Sequence, residues 1–400
     1  MTPAATAALQ TFMQSRGIDA WVLWDFRGSN PILAQLFPAV TAQGAATKRW
    51  TTRRSAIIIP RRGPTIALVH SIDASQFERD PFAKHVYLTW QELHARLKAE
   101  LAGCAAVAME YSPLAELPAV SFVDAGAVEL VRALGVKVVS SADLIQATIA
   151  RWSPAAQADH ARVSALVTGI KDSAFALISA ALAARQPITE RDVQSHIERE
   201  FAAAGLQTDG QPVVAVNAHA GDPHFEVDAA KPAPITRGDW VLIDLWARTP
   251  GKAHIYSDIT WVGCCGAPTA EQQQVYAAVK RARDAALRLA QDAWTSQRTV
   301  RGWELDDAAR HELVSAGYEK YIRHRTGHSL SMGPKVHGLG VNLDNLETHD
   351  TREMLPGVGF TIEPGLYLPN FGVRLEINVF VDEKKGPVVT SCVQDEILKL

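Results

Sequence analysis

Two pairs of acidic residues, each divided by a turn signal, are the part of this sequence best suited to chemistry. Asp244 and Asp258 are equidistant from Gly251, which lies in a Thr-Pro-Gly-Lys turn signal. Glu363 and Glu376 flank a Pro-Asn turn signal in the same symmetrical way. Folding each ribbon at its turn places the two carboxylates of a pair near each other on neighbouring strands. The sequence therefore predicts two β-hairpins whose acidic side chains converge.

The apolar neighbours of these acids indicate what the carboxylates bind. Val-Leu-Ile precedes Asp244, and Ile-Asn-Val follows Glu376. Like charges that face each other destabilise a sheet, and burying unpaired carboxylates costs several kcal/mol. A bound cation removes this conflict, and four carboxylates carry enough charge for two divalent ions. Oxygen ligands alone favour Mg²⁺ or Ca²⁺, whereas an imidazole shifts the preference towards Mn²⁺, Co²⁺ or Zn²⁺.

A glycine-rich segment, HRTGHSLSMGPKVHGLG at residues 324–340, offers such an imidazole. Its glycines predict a loop whose backbone lies close to its surroundings. A lone histidine is commonly a structural hydrogen-bonding residue, but this loop directly precedes the second acidic hairpin. This setting favours a ligand role for His328 and a functional role for His337, which follows it in the same loop.

Taken in order, the acids and the histidine resemble the ligand set of the pita-bread metallopeptidases, which include methionine aminopeptidase, aminopeptidase P and prolidase. The strings YSDIT, TGH, TIEPGLY and VRLEINVFV are close to the diagnostic strings of that family. The resemblance covers about residues 153–400. It implies two divalent ions, which we expect to be Mn²⁺, with Zn²⁺ and Co²⁺ as the other candidates. The metal ligands that it implies are Asp244, Asp258, His328, Glu363 and Glu376.

The resemblance also implies a role for each ligand. Asp258 and Glu376 would bridge both ions. Asp244 would belong to one ion, and His328 and Glu363 to the other. In this family the two ions activate a water that attacks the scissile carbonyl, and Glu363 matches the residue that passes a proton to the leaving nitrogen.

Three further residues match positions that contact substrate or orient ligands in the family. His337 resembles a histidine that stabilises the tetrahedral intermediate, and His224, in NAHAGDPHFE, resembles a histidine that contacts substrate near the scissile bond. Arg374, two residues before Glu376, resembles an arginine that orients carboxylates. We expect the neighbouring His219 to be structural.

The sequence departs from the family pattern at four places. Asp244 and Asp258 are 14 residues apart, more than is usual, so the first hairpin is expected to be longer at its tip. G-H-S-L-S replaces G-H-G-[IL]-G, V-H-G replaces V-H-E, and Trp261 stands where an arginine is frequent. None of these changes removes a ligand. They bear on the shape of the subsites and therefore on substrate preference.

The elements that position these residues indicate an α+β fold in two domains. Residues 1–152 alternate short β-rich runs with helical patterns, which is typical of a small α/β domain. Ser153 and Pro154 then provide an N-cap and a first helical residue, so we expect residues 153–400 to form the pita-bread catalytic domain. The first domain resembles in place and size that of prolidase, aminopeptidase P and creatinase, which favours the proline-directed branch because methionine aminopeptidases lack it.

The run Thr47–Arg54 is the densest basic cluster of the sequence. A dipeptidase must bind the free carboxylate of its substrate and exclude longer chains. We therefore predict that Arg49, Arg53 or Arg54, from the same chain or from a partner subunit, binds this carboxylate. The alternative is a solvated loop.

Composition argues against several classes of partner. The 400 residues include 40 Lys and Arg against 43 Asp and Glu, a net charge of −3 that gives no basic footprint for nucleic acid. No apolar run approaches the ~18 residues that span a bilayer, and the first residues lack the features of a signal peptide. Four cysteines, two of them adjacent, form no disulfide framework. We expect a cytoplasmic protein without membrane contact and, by resemblance, a homodimer.

The predicted activity is hydrolysis of Xaa-Pro dipeptides, as in prolidase. An Xaa-Pro bond has no N–H, which metal activation of water does not need. The alternative is aminopeptidase P activity on longer peptides. Two other classes share the fold: metal-free creatinase-like hydrolases, which lack the ligand set, and non-catalytic binding proteins, which typically lose ligands. The presence of all five ligand residues argues against both.

Overall fold

The computed structural model describes residues 1–40, 46–251 and 253–400, without the side chain of Ala46. Contacts divide the described chain into two compact units, Met1–Ile149 and Ala150–Leu400. The predicted boundary after residue 152 lies slightly later than this division. The reason is that the amide of Trp152 donates to the Gly357 carbonyl at 2.8 Å and its indole to the Leu330 carbonyl at 2.7 Å, which ties this residue to the second unit.

The first unit is an α/β unit built on a mixed sheet. Its helices are α1 (Pro3–Ser15), α2 (Pro31–Leu36), α3 (Trp90–Glu100), α4 (Ala125–Ala133) and α5 (Ala142–Thr148). Its strands are β1 (Ala20–Phe26), β2 (Ala39–Val40), β3 (Ala46–Thr47), β4 (Arg54–Pro60), β5 (Ile66–His70), β6 (Ala83–Tyr87), β7 (Ala106–Met109) and β8 (Lys137–Ser140). The main sheet has the order β6-β5-β4-β1-β7-β8. The central strand β1 is almost continuously apolar because a central strand is buried on both faces.

The second unit carries both predicted hairpins. Its helices are α6 (Pro154–Ala184), α7 (Glu190–Ala203), α8 (Ala270–Thr295) and α9 (Gly302–Ser315). Its strands are β9 (Val213–Val216), β10 (Trp240–Ala247), β11 (Ser257–Cys264), β12 (Ser329–Leu330), β13 (Gly359–Ile362), β14 (Gly365–Tyr367), β15 (Gly372–Arg374), β16 (Ile377–Asp382), β17 (Gly386–Val389) and β18 (Leu398–Lys399). Two sheets, β18-β11-β10-β9 and β12-β13-β16-β17, hold the acidic strands, and β14 pairs with β15.

Helix α6 begins as the sequence predicts, because the Ser153 hydroxyl accepts the amide of Ala156 at 3.1 Å. By length and composition alone α6 could cross a membrane. Its apolar residues Val163, Val167 and Phe175 are buried in a core shared with β10 and β11. Buried core helices meet the same length and composition criteria, so this helix is weak evidence for a membrane span.

His160 fixes α6 to two later segments of the second unit. Its ring lies 4.5 Å from the ring of Trp152, with Nδ1 3.1 Å from the Tyr256 carbonyl and Nε2 2.9 Å from the Thr390 hydroxyl. Burial lowers the pKa of His160 to about 4. The ring is therefore neutral in the folded protein at neutral pH.

We expect His160 to make the protein less stable in mild acid. In the unfolded chain it binds a proton near pH 6.5, and its folded pKa is depressed. Its contribution to stability is thus present above about pH 6.5 and is lost as the pH falls through the folded pKa. The shift corresponds to about 3 kcal/mol in the free energy of unfolding. Urea unfolding of the wild type and of His160→Gln at about pH 7.5 and about pH 4.5 measures this loss of stability. Equal pH dependence of the free energy of unfolding in the two proteins would contradict the prediction.

Candidate metal centre

The second acidic pair lies at an interruption between two ladders. β13 pairs with β16, with Ile362 opposite Ile377, and β14 pairs with β15 in the same register. Glu363 and Glu376 face each other in the gap between the ladders. Their backbone amides donate to carbonyls outside this hairpin, at 2.7 and 3.3 Å. This register is the one that the position of the turn signal predicts.

The first acidic pair lies on β10 and β11 in a register that differs from the prediction. Asp244 is opposite Thr260, and Asp258 is opposite Trp246, so the two acids are diagonal neighbours. The reason is the long connection 248–256, of which Lys252 lies outside the described residues. An offset of two residues leaves both side chains on the same face of the sheet, because side chains alternate with a period of two.

The side chain of His328 lies close to acidic side chains of both hairpins. Asp258, His328 and Glu376 each offer a ligand atom, and these atoms lie within 4.8 Å of one another. His328 Nε2 lies 3.5 Å from Asp258 Oδ2 and 3.3 Å from Glu363 Oε1. Its Nδ1 lies 3.1 Å from the Ser329 carbonyl. Because a carbonyl only accepts, Nδ1 carries a proton. Burial lowers the pKa of His328, so the ring is neutral at neutral pH and Nε2 presents its lone pair to the acids.

Three carboxylates keep a buried oxygen without a hydrogen-bond partner among the described residues: Asp244 Oδ1, Asp258 Oδ1 and Glu376 Oε1. By contrast, Glu376 Oε2 accepts from the Thr260 hydroxyl at 2.8 Å. A buried polar atom is costly unless it is paired, and a cation is the natural partner of several converging carboxylate oxygens. These residues therefore fit a divalent ion, and their mixed oxygen and nitrogen donors suit Mn²⁺, Co²⁺ or Zn²⁺.

The acids also repel one another. Burial, together with the charge of neighbouring carboxylates, raises the pKa of Asp258 and of Glu376 well above their ordinary values. Burial raises the pKa of Asp244 against the opposing effect of Arg374. Burial also acts to raise the pKa of Glu363, but nearby histidines and Arg374 lower it below its ordinary value. An added positive charge would relieve this repulsion.

A hydrogen-bonded chain lies behind the acids. Its Arg374 was predicted to orient carboxylates, whereas its Tyr367 and His324 were not predicted. Arg374 binds Asp244 through Nη2, the Tyr367 hydroxyl through Nη1 at 3.0 Å, and the Thr260 hydroxyl through Nε at 2.9 Å. The same Tyr367 hydroxyl lies 2.6 Å from His324 Nε2. Arg374 thus fixes one carboxylate and one phenol together in the buried wall of the centre.

His337 lies against His328, with ring centroids 4.1 Å apart. A positive charge on His328, when that ring is protonated, and burial lower the pKa of His337 to about 3. A ring with that pKa is neutral at neutral pH. It can form a hydrogen bond with a substrate oxygen without adding charge to the centre.

Two serines that depart from the family pattern hold the loop of His337. Ser331 Oγ accepts the amide of Leu339 at 3.0 Å, and Ser329 Oγ accepts the amide of Gly340 at 2.9 Å. A Cβ atom at Gly338 would lie 2.4 Å from Ser331 Oγ. The two departures are therefore coupled, because glycine at position 338 makes room for the serine hydroxyl.

The acids open into a cavity of about 960 Å³, whose described walls belong to the second unit. His224, His337 and Arg374 lie on these walls together with the predicted ligands. A cavity of this size suits a small ligand. His219 instead bonds to the buried Glu190, with Nδ1 2.8 Å from Oε1, in keeping with a structural role.

The three arginines predicted to bind a carboxylate lie in the first unit. Both terminal nitrogens of Arg49 bond to Asp80, at 2.8 and 3.1 Å, and the guanidinium lies 4.1 Å from the centre of the Phe77 ring. Arg49 is thus committed to structural partners, which argues against the role predicted for it. Arg53 and Arg54 have no such acidic partner among the described contacts, and their role stays a prediction.

Residues 166–383, more than half of the chain, match metallopeptidase family M24. The chain therefore belongs to this family of metallopeptidases. It is 31% identical over 217 residues to the Xaa-Pro dipeptidase of Pyrococcus furiosus, covering 53% of this chain and 57% of that protein. The chain spans about half the length of the curated relatives that it matches.

Solved structures share the fold along nearly the whole chain. The dipeptidase PepE from Mycobacterium ulcerans has a TM-score of 0.67 at 24% identity, covering 99% of this chain and 96% of that one. The X-Pro aminopeptidase from Thermotoga maritima has a TM-score of 0.56 at 20% identity, covering 96% and 98%. These similarities confirm the predicted fold class, a pita-bread fold preceded by a smaller α/β unit.

Proposed function

We propose that this chain hydrolyses Xaa-Pro dipeptides with two bound divalent ions. The proposal rests on one observation. Buried carboxylate oxygens without a hydrogen-bond partner among the described residues converge with the lone pair of His328 at a cavity. The Xaa-Pro dipeptidase relative supports the substrate class. By resemblance, we also propose that the protein is a cytoplasmic homodimer whose first unit corresponds to the N-terminal domain of prolidases. Mn²⁺ is the proposed metal, because a carboxylate-rich site with one imidazole suits it.

The residues proposed to hold the ions are Asp244, Asp258, His328, Glu363 and Glu376. Divalent ions in such a site polarise a substrate carbonyl and lower the pKa of water. Arg374, through its contacts with Asp244 and Tyr367, would hold the acidic side chains in the positions that bind the ions.

Glu363 is the group that we propose to move the proton. Its side chain is 15% exposed, against 7% for Asp258, so it is the more accessible of these two acids. Its pKa lies below the ordinary value because histidines and Arg374 outweigh the effect of burial, so it is ionised and able to accept a proton. Thr361 donates to Oε1 at 2.9 Å and orients the carboxylate. Glu363 would accept a proton from the attacking water and pass it to the proline nitrogen that leaves.

His337 and His224 are proposed to bind the substrate. The neutral His337 ring, held by the serine-bound loop, is suited to a hydrogen bond with the carbonyl oxygen. His224 lies on the cavity wall, where its amide donates to Asp222 Oδ1 at 2.9 Å. Its exposed ring is available to the residue on the amino side of the scissile bond.

Turnover of Ala-Pro and Ala-Pro-Ala, before and after chelation and Mn²⁺ readdition, tests the proposal. We expect Ala-Pro turnover to exceed that of the tripeptide, to stop on chelation and to return with Mn²⁺. Preference for Ala-Pro-Ala would indicate an aminopeptidase instead. No hydrolysis of either peptide by metal-loaded protein would contradict the proposed function.

Ser331→Ala is expected to lower kcat about tenfold. The change leaves the amide of Leu339 without its partner, at a cost of ~1–3 kcal/mol, and loosens the loop that places His337. Steady-state kinetics on Ala-Pro measures the effect, and thermal unfolding checks that the protein stays folded. Ser296→Ala removes a hydroxyl at the end of α8 that donates to the Asp292 carbonyl, and it should leave kcat unchanged. Equal kcat in Ser331→Ala and wild type would contradict the positioning role.

A further inference from the structure

The cavity wall carries four cationic side chains besides the histidines: Arg323, Arg325, Lys335 and Arg374. A site with several carboxylates repels an anionic ligand group unless a cation receives it. A dipeptide brings such a group, the carboxylate of its C-terminal residue. Which of these cations is available to bind that carboxylate depends on the partners that each one already has.

Three of the four cations already have an acidic neighbour. Arg374 binds Asp244 within the buried wall. Arg325 lies 3.4 Å from Glu347, whose carboxylate also accepts the backbone amide of Arg325 at 3.0 Å. Lys335 Nζ lies 3.9 Å from the carboxylate of Asp209. These neighbours compensate the charges of the two arginines. The pair of Lys335, whose side chain is 71% exposed, with Asp209 is weak, but a single ammonium lacks the two parallel donors of a guanidinium.

Arg323 has no ion pair or hydrogen bond with any residue that the structure describes, and it is exposed on the cavity wall. It directly precedes His324, whose ring is fixed by the Tyr367 hydroxyl at 2.6 Å. The backbone of Arg323 is thus anchored next to the buried network, while its guanidinium remains available to a ligand.

We propose that Arg323 binds the free C-terminal carboxylate of the substrate and so selects dipeptides, an inference that rests on the proposed function. A guanidinium presents two parallel N–H donors that match the two oxygens of a carboxylate. In a longer peptide a neutral amide replaces this carboxylate, and the interaction is lost. This assigns to the second unit the role that the sequence suggested for the arginines at positions 49, 53 and 54.

The test compares Gly-Pro with Gly-Pro-amide, which differ only in the carboxylate. Arg323→Ala is expected to raise the KM for Gly-Pro by about 10- to 100-fold, the loss typical of a hydrogen bond to a charged group. The KM for the amide and the kcat for both substrates should change by less than about twofold, since the reacting groups are untouched. The matched control is Arg288→Ala, which removes an exposed arginine of α8 outside the cavity wall and should leave every value unchanged.

A binding measurement separates failure of this inference from failure of the proposed function. By calorimetry, the wild type should bind L-proline more tightly than L-prolinamide, and Arg323→Ala should bind the two alike. If the variant keeps the wild-type discrimination, or if Arg325→Ala removes it instead, the assignment to Arg323 is wrong. If the metal-loaded wild type does not hydrolyse Gly-Pro at all, the proposed function fails, whatever the result for proline.

Discussion

Asp258→Asn and Glu376→Gln are each expected to lower the turnover of Ala-Pro by at least about 10²- to 10³-fold, the loss typical of removing one preorganised electrostatic group from an active site. In the metal-free protein the same changes should leave stability unchanged or higher. Burial and neighbouring acids raise the pKa of both carboxylates, so a neutral amide of the same shape relieves repulsion. Kinetics with Mn²⁺ and thermal unfolding without it measure the two effects.

Glu271→Gln, which removes an exposed acid from the first turn of α8, is the matched control and should keep wild-type turnover. Full activity in Asp258→Asn or in Glu376→Gln would contradict the proposed ligand roles. A marked loss of stability in both metal-free variants would contradict the account of electrostatic repulsion.

Arg374→Met is expected to lower the free energy of unfolding of the metal-free protein by about 3–5 kcal/mol, because it leaves a buried charge without its partner. Arg374 holds Asp244 and the Tyr367 hydroxyl together. Adding Asp244→Asn to the variant removes the orphaned charge and should restore much of the stability. Urea unfolding of the wild type, both single variants and the double variant measures this coupling.

Arg374→Lys serves as a second comparison, because a single ammonium cannot reproduce the fork that reaches three partners. Arg374→Lys should recover only part of the free energy of unfolding that Arg374→Met loses. If Arg374→Met is as stable as the wild type, or if the two changes add without coupling, the pair does not stabilise the fold in the way described.

The second hairpin could be predicted from sequence because its turn is short. Only residues 368–371 separate β14 from β15, so the turn fixes the register along the ribbon. The connection in the first hairpin is much longer, and the distance from Gly251 therefore gave a pairing that is wrong by two residues. The period of two in a strand kept Asp244 and Asp258 on one face despite this error.

Arg374 was predicted to orient carboxylates, but its connection through Tyr367 to His324 was not predicted. His324 stands four residues before His328, and Tyr367 stands four residues after Glu363. Such spacings do not show that the two side chains meet, because their contact joins a loop to a separate strand. Only the tertiary arrangement brings the imidazole, the phenol and the guanidinium together.

The density of basic residues along the sequence did not predict which arginine lacks an acidic partner. Arg49 was among the arginines of the basic run Thr47–Arg54 that we predicted to bind the substrate carboxylate. Its charge is instead neutralised by Asp80, which is far away in the sequence. Arg323 stands in a less basic segment and keeps its charge unpaired among the described residues.

The most direct test of the central claim is the metal content of the protein after incubation with Mn²⁺ and removal of free ions. Elemental analysis should find two ions per chain in the wild type and fewer in Asp258→Asn and Glu376→Gln. A wild-type protein that retains no divalent ion, or variants that retain as much as the wild type, would contradict the claim that these acids and His328 form a dinuclear metal centre.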